Sequence, residues 1–440
     1  MSKKRKSRKN VVKSDNGLLW RLVTDHPDIF DTHVVPKLNG NDVKFFYDVN
    51  SESRRAIKRS GAKLPDAFKI GDFATTSTIS WALEKCNEEK ERFCSKMAEK
   101  GNLELLQHLH ENGCAWDEDT CEFAAENDHL ECLKYAHENG CPWNNRTCSE
   151  AACNGHIECL KYAHENGCPW NEKTCSEAAK NGHHEFLKYA HENGCPWGVG
   201  TSANAARNGH LECLKYAHEN GCPWGRRRWN EDTDSYEDDC SNAAKNGHLE
   251  CLKYAHENGC RWDNWTCSFA AQNGHLECLK YAHENRCPWD YRTCSEAAKN
   301  GHLECLKYAH ENGCPWNEKT CKDAAYNGHL ECLKYAHENG CDWDEWTCME
   351  AAKNGHIECL KYAHENGCPW NEETCSQAAK NGHIECLKYA HVNGCPWNEE
   401  TCSSAALKGH LKCLKYAHEN GCPGSANYAH RLSNNAQTHE

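Results

Sequence analysis

From Thr120 onward the chain repeats one 27-residue period: Thr-Cys-Ser-Glu-Ala-Ala-Lys-Asn-Gly-His-Leu-Glu-Cys-Leu-Lys-Tyr-Ala-His-Glu-Asn-Gly-Cys-Pro-Trp and three variable residues, interrupted by one longer spacing. A unit this short cannot enclose a core, so it must bury its apolar face against its neighbours, and such self-similarity marks a solenoid. A degenerate copy begins near Phe93 and the last copy ends at Cys422, giving twelve units. Only 38% of the residues are hydrophobic. That fraction does not argue for disorder, because in a stack the core grows with repeat number.

Each unit reads as two helices and a connector. Thr147, Thr174 and Thr293 each precede a glutamate three residues on (Glu150, Glu177, Glu296), the pattern of a capping box opening a first helix. Asn-Gly closes it. A second helix follows, as at Leu303–Asn312, with Leu303, Cys305, Leu306 and Ala309 on one side and Glu304, Lys307 and Glu311 outward. Gly313 supplies a left-handed stop, and Cys314-Pro315-Trp316 reads as an extended connector. Twelve such layers at roughly 10 Å each would make a superhelix on the order of 110 Å long.

The two-helix stretch, as at Thr293 to Ala309, resembles the ankyrin repeat, and the resemblance covers residues 93–422. It departs in two ways: the family's unit is about six residues longer and opens Thr-Pro-Leu-His. The resemblance therefore implies an all-α solenoid of stacked helix-turn-helix, ankyrin-like repeats with short loops, its β-hairpin fingers reduced or absent. The inter-repeat hydrogen bonds of the missing histidine must come from elsewhere.

Function should be a surface. The copies disagree in the outward part of the first helix and at the end of the loop, where Phe123, Trp265, Phe269, Tyr291, Tyr326, Trp346 and Met349 stand in place of Ser, Glu, Lys or Asn. In ankyrin-like proteins these regions line the concave face, and aromatic residues there anchor a protein partner. Units seven to ten are the expected contact. The competing reading is drift of duplicated copies at tolerant surface positions.

The 35 cysteines recur at fixed places in each unit without Cys-x-x-Cys pairs, and they read as small buried hydrophobes; no metal or other cofactor is expected. The histidine columns, such as His302 and His310, read as structural, with a pH response as the lesser alternative. Any His, Cys or Glu that would serve catalysis is present in a dozen copies, whereas an active site needs one pocket with unequal environments, so the chain is not expected to be an enzyme. The insertion near 225–238 carries Arg226-Arg227-Arg228-Trp229 followed by an acidic run, which reads as a solvated loop.

Residues 1–17 read as a basic disordered tail, in which Lys3, Lys4, Arg5, Lys6, Arg8 and Lys9 form a nuclear-import candidate in a chain of net charge -14. Nucleic acid and membrane are not expected partners, since no basic stripe or long apolar run is present. Location inside the cell, in nucleus or cytoplasm, is expected from the lack of an apolar leader. Residues 18–60 resemble the F-box in spacing, carried by Pro27, Ile29, Val34, Val35, Leu38, Asp42, Val43 and Val49, with departures at Ser53 and Pro36. That resemblance implies docking on the adaptor of a cullin ubiquitin ligase, which would make the chain a substrate-recruiting adaptor. The alternative is a plain ankyrin-type scaffold whose N-terminal segment only caps the array. Residues 61–92 read as linker and cap, with Ser80 to Cys86 part of the cap, and 423–440 as a disordered tail.

Overall fold

In a computed structural model the described residues are 91–428, other than 199, 226, 227 and 231–234, together with 36, 41, 42, 44, 45, 57, 58, 75, 76 and 78–80. The basic cluster and the F-box-like positions other than Asp42 lie outside them. Twelve helix pairs run from Glu91–Glu99 with Leu103–Glu111 to Glu399–Lys408 with Leu411–Glu419. The chain divides into two compact units, residues 1–178 with 185–196 and residues 179–184 with 197–440. Within each unit, first helices pack on first helices of the next repeat, second helices on second helices, and each pair on itself.

Small side chains make that stacking close. In repeat eight (Tyr291–Lys299 and Leu303–Glu311) Thr293, Cys294, Ala297, Ala298, Cys305, Leu306, Ala309 and Cys314 are all buried, so one leucine and a set of alanines and thiols form the layer's core. Leu303, expected with them, is only half-buried. Burying a leucine contributes about 1.5–3 kcal/mol, which two neighbours share in sealing each layer.

The first helix begins three residues earlier than its Thr-x-x-Glu pattern suggests. Asn144, in extended backbone, accepts from the Arg146 amide at 2.8 Å, and Asp290 accepts from Arg292 at 2.9 Å. Thr147, Thr174 and Thr293 therefore sit inside the helix and are fully buried. Where an Asn or Asp follows the connector tryptophan, as at Asn144 and Asp290, it wins because it precedes the helical backbone and its oxygen reaches the free amides. A reciprocal capping box does form in repeat six (Asp239–Lys245 and Leu249–Glu257), between Asp238 and Ser241.

Both turns of a unit end on a left-handed residue. Gly301 (φ +79°) lets the His302 amide return to Ala297 at 2.9 Å, and Gly313 (φ +83°) does the same for Cys314 and Ala309 at 2.9 Å. Gly301 has a second duty. A Cβ there would lie 2.6 Å from Nδ1 of His329, the turn histidine of the following repeat. These turn histidines supply the inter-repeat bonds: His129 Nε2 meets the Glu99 carbonyl at 3.2 Å, and His275 and His329 bond the Lys245 and Lys299 backbone in the same way.

The insertion carries a β-hairpin: β1 (Arg228–Asn230) pairs antiparallel with β2 (Ser235–Glu237), placing Trp229 opposite Tyr236. A four-residue connection and aromatic strand residues suit such a pair. Among the described residues these are the only strands. Ser425–Tyr428, expected in the tail, form a 3-10 turn. Ahead of the array, Ile57 and Ile79 are buried and the Ser80 hydroxyl meets His108 Nε2 at 2.6 Å.

Candidate protein-binding face

The disagreements among copies fall on one face of the first helix. In repeat three (Asn145–Asn154 and Ile157–Glu165) they are Arg146, Ser149, Glu150 and Cys153, spaced i, i+3, i+4 and i+7. The same columns hold Trp265, Ser268, Phe269 and Gln272 in repeat seven (Asn264–Gln272 and Leu276–Glu284). In repeat ten (Glu345–Lys353 and Ile357–Glu365) they hold Trp346, Met349, Glu350 and Lys353. The Thr, Cys and two Ala of most copies point the other way and are buried.

The predicted contact residues separate into two kinds. Tyr326 is 41% and Trp346 48% exposed, while Phe123, Trp265 and Tyr291 are half-buried. Phe269 and Met349, expected at the contact surface, are instead buried at 3% and 7% exposure. Their columns, i+4 and i+3, look into the groove between adjacent first helices, and any apolar side chain there fills it. Trp265 packs on Phe269 with ring centroids 5.6 Å apart. Phe123 lies on repeat two (Glu118–Glu126 and Leu130–Glu138), away from the others in sequence.

The sequence reading missed the cations. Lys245 Nζ lies 5.0 Å from the Phe269 centroid, and the Arg292 guanidinium 5.0 Å from Trp265 and 5.8 Å from Tyr291. In repeats nine and ten, Lys322 stands 5.4 Å over Trp346 and Lys353 5.7 Å over Tyr326. Most of these contacts join adjacent repeats. The signal was available, since Lys245 and Lys353 occupy the same column as Tyr326. Leu407, also in that column, and Val392, which replaces the glutamate that ends the second helix in the other copies, are each 75% exposed and were missed too.

Carboxylates between the first helices are held back from solvent. Burial pushes the pKa of Asp323 up, against Lys319 and Lys299. Burial likewise raises Glu122, offset by Arg146, whose guanidinium pairs with it at 2.6 Å.

The second-helix side is exposed and yet constant. Leu-Glu-Cys-Leu-Lys-Tyr-Ala-His-Glu recurs unchanged at residues 249–257, 276–284, 303–311 and 330–338. Glu304 and Glu331 are each 68% exposed and pair with Lys307 and Lys334 at 2.9 and 2.8 Å. Toward the connector, a histidine stacks on the tryptophan of its own repeat and bonds the next repeat's tyrosine in many copies, as His283 does with Trp289 (3.8 Å, 11°) and the Tyr308 hydroxyl (3.1 Å).

Connector thiols donate to the carbonyl that opens their own first helix, as Cys314 does to Asp290 at 3.2 Å. First-helix thiols such as Cys294 are pushed up by a hydrogen bond with the connector thiol and by burial, while burial, aided by the Glu331 charge, takes second-helix Cys332 up to about 12. Thiols held protonated in this way are poor ligands and poor nucleophiles. Among the described residues no group of three or more His, Cys, Asp or Glu is placed to hold a metal ion, and no helix is long and apolar enough to cross a membrane. A cavity of about 480 Å³ opens beside the hairpin, lined by Trp224, Gly225, Asp238, Arg261, Trp262 and Asp263 among others.

No curated protein matches the chain as a relative. Residues 294–374 and 322–389 match the family described as "Ankyrin repeats (3 copies)", and residues 240–283 that described as "Ankyrin repeats (many copies)". Among solved structures, the ankyrin repeat domain of human ASB11 is 19% identical and covers 36% of this chain and 84% of its own, with a TM-score of 0.33. Over residues 240–283 and 294–389 the helix pairs described above are similar to ankyrin repeats.

Proposed function

We propose that the chain is a non-enzymatic protein-binding scaffold whose contact surface is the variable face of the first helices, centred on repeats seven to ten. One observation carries this reading. Exposed positions on the second helix, such as Glu304 and Glu331, are the same in copy after copy, whereas the i, i+3, i+4, i+7 face of the first helix differs in nearly every one. Drift after duplication would touch exposed positions on both helices alike, so exposure alone does not account for the difference. The variable face also holds Trp346 and Tyr326, rigid side chains suited to anchoring a partner.

Affinity capture with the full chain tests it, beside a first-helix variant (Trp265→Ala, Tyr326→Ala, Trp346→Ala) and a second-helix variant (Glu304→Gln, Glu331→Gln, Glu358→Gln). The reading predicts a protein set lost only in the first variant. Loss only in the second would move the binding surface to the other helix.

The spacing of residues 18–60 extends the proposal: the bound protein would be handed to a cullin ligase through an F-box-like segment. Pull-down of the cullin adaptor by the full chain, abolished by Leu38→Asp with Val43→Asp while the helical signal is retained, supports that extension. Absence of adaptor binding by the folded full chain leaves the scaffold alone.

A further inference from the structure

The reading of the first-helix face as a binding surface can be taken one step further, to the chemistry of what it binds. Across repeats six to ten its rings and cations alternate: Lys245 over Phe269, Trp265 under Arg292, Lys322 over Trp346, and Lys353 over Tyr326. Lys322 makes no ion pair among the described residues, its ammonium resting on the indole. Two of the others are ion-paired yet remain part-exposed. Arg292 reaches Asp290 at 3.4 Å, and Lys353 reaches Glu350 at 3.0 Å, with 39% and 37% of the cationic side chains still exposed.

The carboxylates of the same columns are recessed: Glu350 is 6% exposed, and Asp323 sits in the groove between the helices. In a chain of net charge -14, this strip therefore presents cations outermost and carboxylates behind them. We propose that the first-helix face of repeats six to ten binds an extended protein segment in which acidic residues alternate with bulky apolar ones.

Charge complementarity sets the acidic residues. The spacing of cations sets their rhythm, since layers about 10 Å apart correspond to about three residues of extended chain at roughly 3.3 Å each. Ring edges and aliphatic stems of Lys and Arg supply the apolar contact between charges. Single-stranded nucleic acid, which also favours cations interleaved with aromatics, fits less well. Base stacking needs an open ring face, and here the faces of Trp265, Phe269, Tyr326 and Trp346 carry a cation already.

A random-peptide display library presented to the full chain decides it. The expected selection is rich in Asp and Glu about every third residue with Leu, Ile or Phe between. Affinity should fall at least tenfold in Lys245→Gln, Arg292→Gln, Lys322→Gln, Lys353→Gln combined, and comparably when the selected peptide's own Glu residues are changed to Gln against the unaltered protein. The second comparison holds even if the combined variant folds poorly. Basic or uncharged selected peptides that are lost on Trp265→Ala with Trp346→Ala would overturn this inference while leaving the binding face in place. Peptides indifferent to both variants would overturn both. Displacement of the peptide by an oligothymidine probe, or no enrichment at all, also counts against an acidic segment.

Discussion

Single residues decide how well one layer meets the next. Gly301→Ala forces a side chain into the left-handed region and drives its Cβ against His329, whereas Gly313→Ala meets nothing within 4 Å. Urea unfolding should show Gly313→Ala costing about 1 kcal/mol and Gly301→Ala about 2 or more. Equal costs would mean that the histidine yields freely. Arg286 holds the glycine place of a connector at φ +66°, so Arg286→Gly should stabilise by about 1 kcal/mol. Asp239 stands where other copies have the buried threonine. It is fully buried, accepts the Gly225 amide at 2.8 Å, and burial pushes its pKa up to about 6 from 3.8. A raised folded-state value means that its stabilising contribution is complete below pH 3.8 and is lost as pH rises through 6. Asp239→Asn should therefore raise the thermal midpoint at pH 7.5, by up to about 3 kcal/mol in stability, and make little difference near pH 4.

At the scale of elements, the His-Trp-Tyr contact ties each second helix to the next connector. Trp289→Ala removes the stack on His283 and the edge contact with Tyr308, and should cost about 2 kcal/mol in chemical unfolding. Tyr308→Phe keeps the ring and loses one hydrogen bond, a cost of about 1 kcal/mol. The helix pairs and the Asn-Gly stops were legible because period and punctuation agree. The helix start was not: Thr-x-x-Glu and Asn-x-x-Thr both fit a cap, and only the burial of threonine in the stack chooses between them. Phe269 and Met349 were misplaced for a related reason, since a helical face says which side a residue takes but not how deeply the next helix covers it. The cations were overlooked because lysine is the common residue of its column, and only their seating over rings of adjacent repeats gives them a role.

For the molecule as a whole, several of the repeated histidines favour the folded state more at neutral pH than in acid. Burial lowers His248, His256, His275, His329 and His383 below their usual value of 6.5. Depressed values favour the folded state above pH 6.5, and that contribution is lost as pH falls through the folded-state values. Asp239 works in the opposite direction over the same range, so Asp239→Asn should lose stability on acidification more steeply than the unaltered chain, read as thermal midpoint between pH 7.5 and 5. Site-specific photo-crosslinking reports which face meets the partner, with a benzophenone side chain placed singly at Arg292 or Trp346 on the first helices and at Glu304 or Glu331 on the second. One bound protein should crosslink from positions 292 and 346 and not from 304 or 331. Crosslinks from 304 and 331 alone, or equally from all four, would contradict a first-helix binding face.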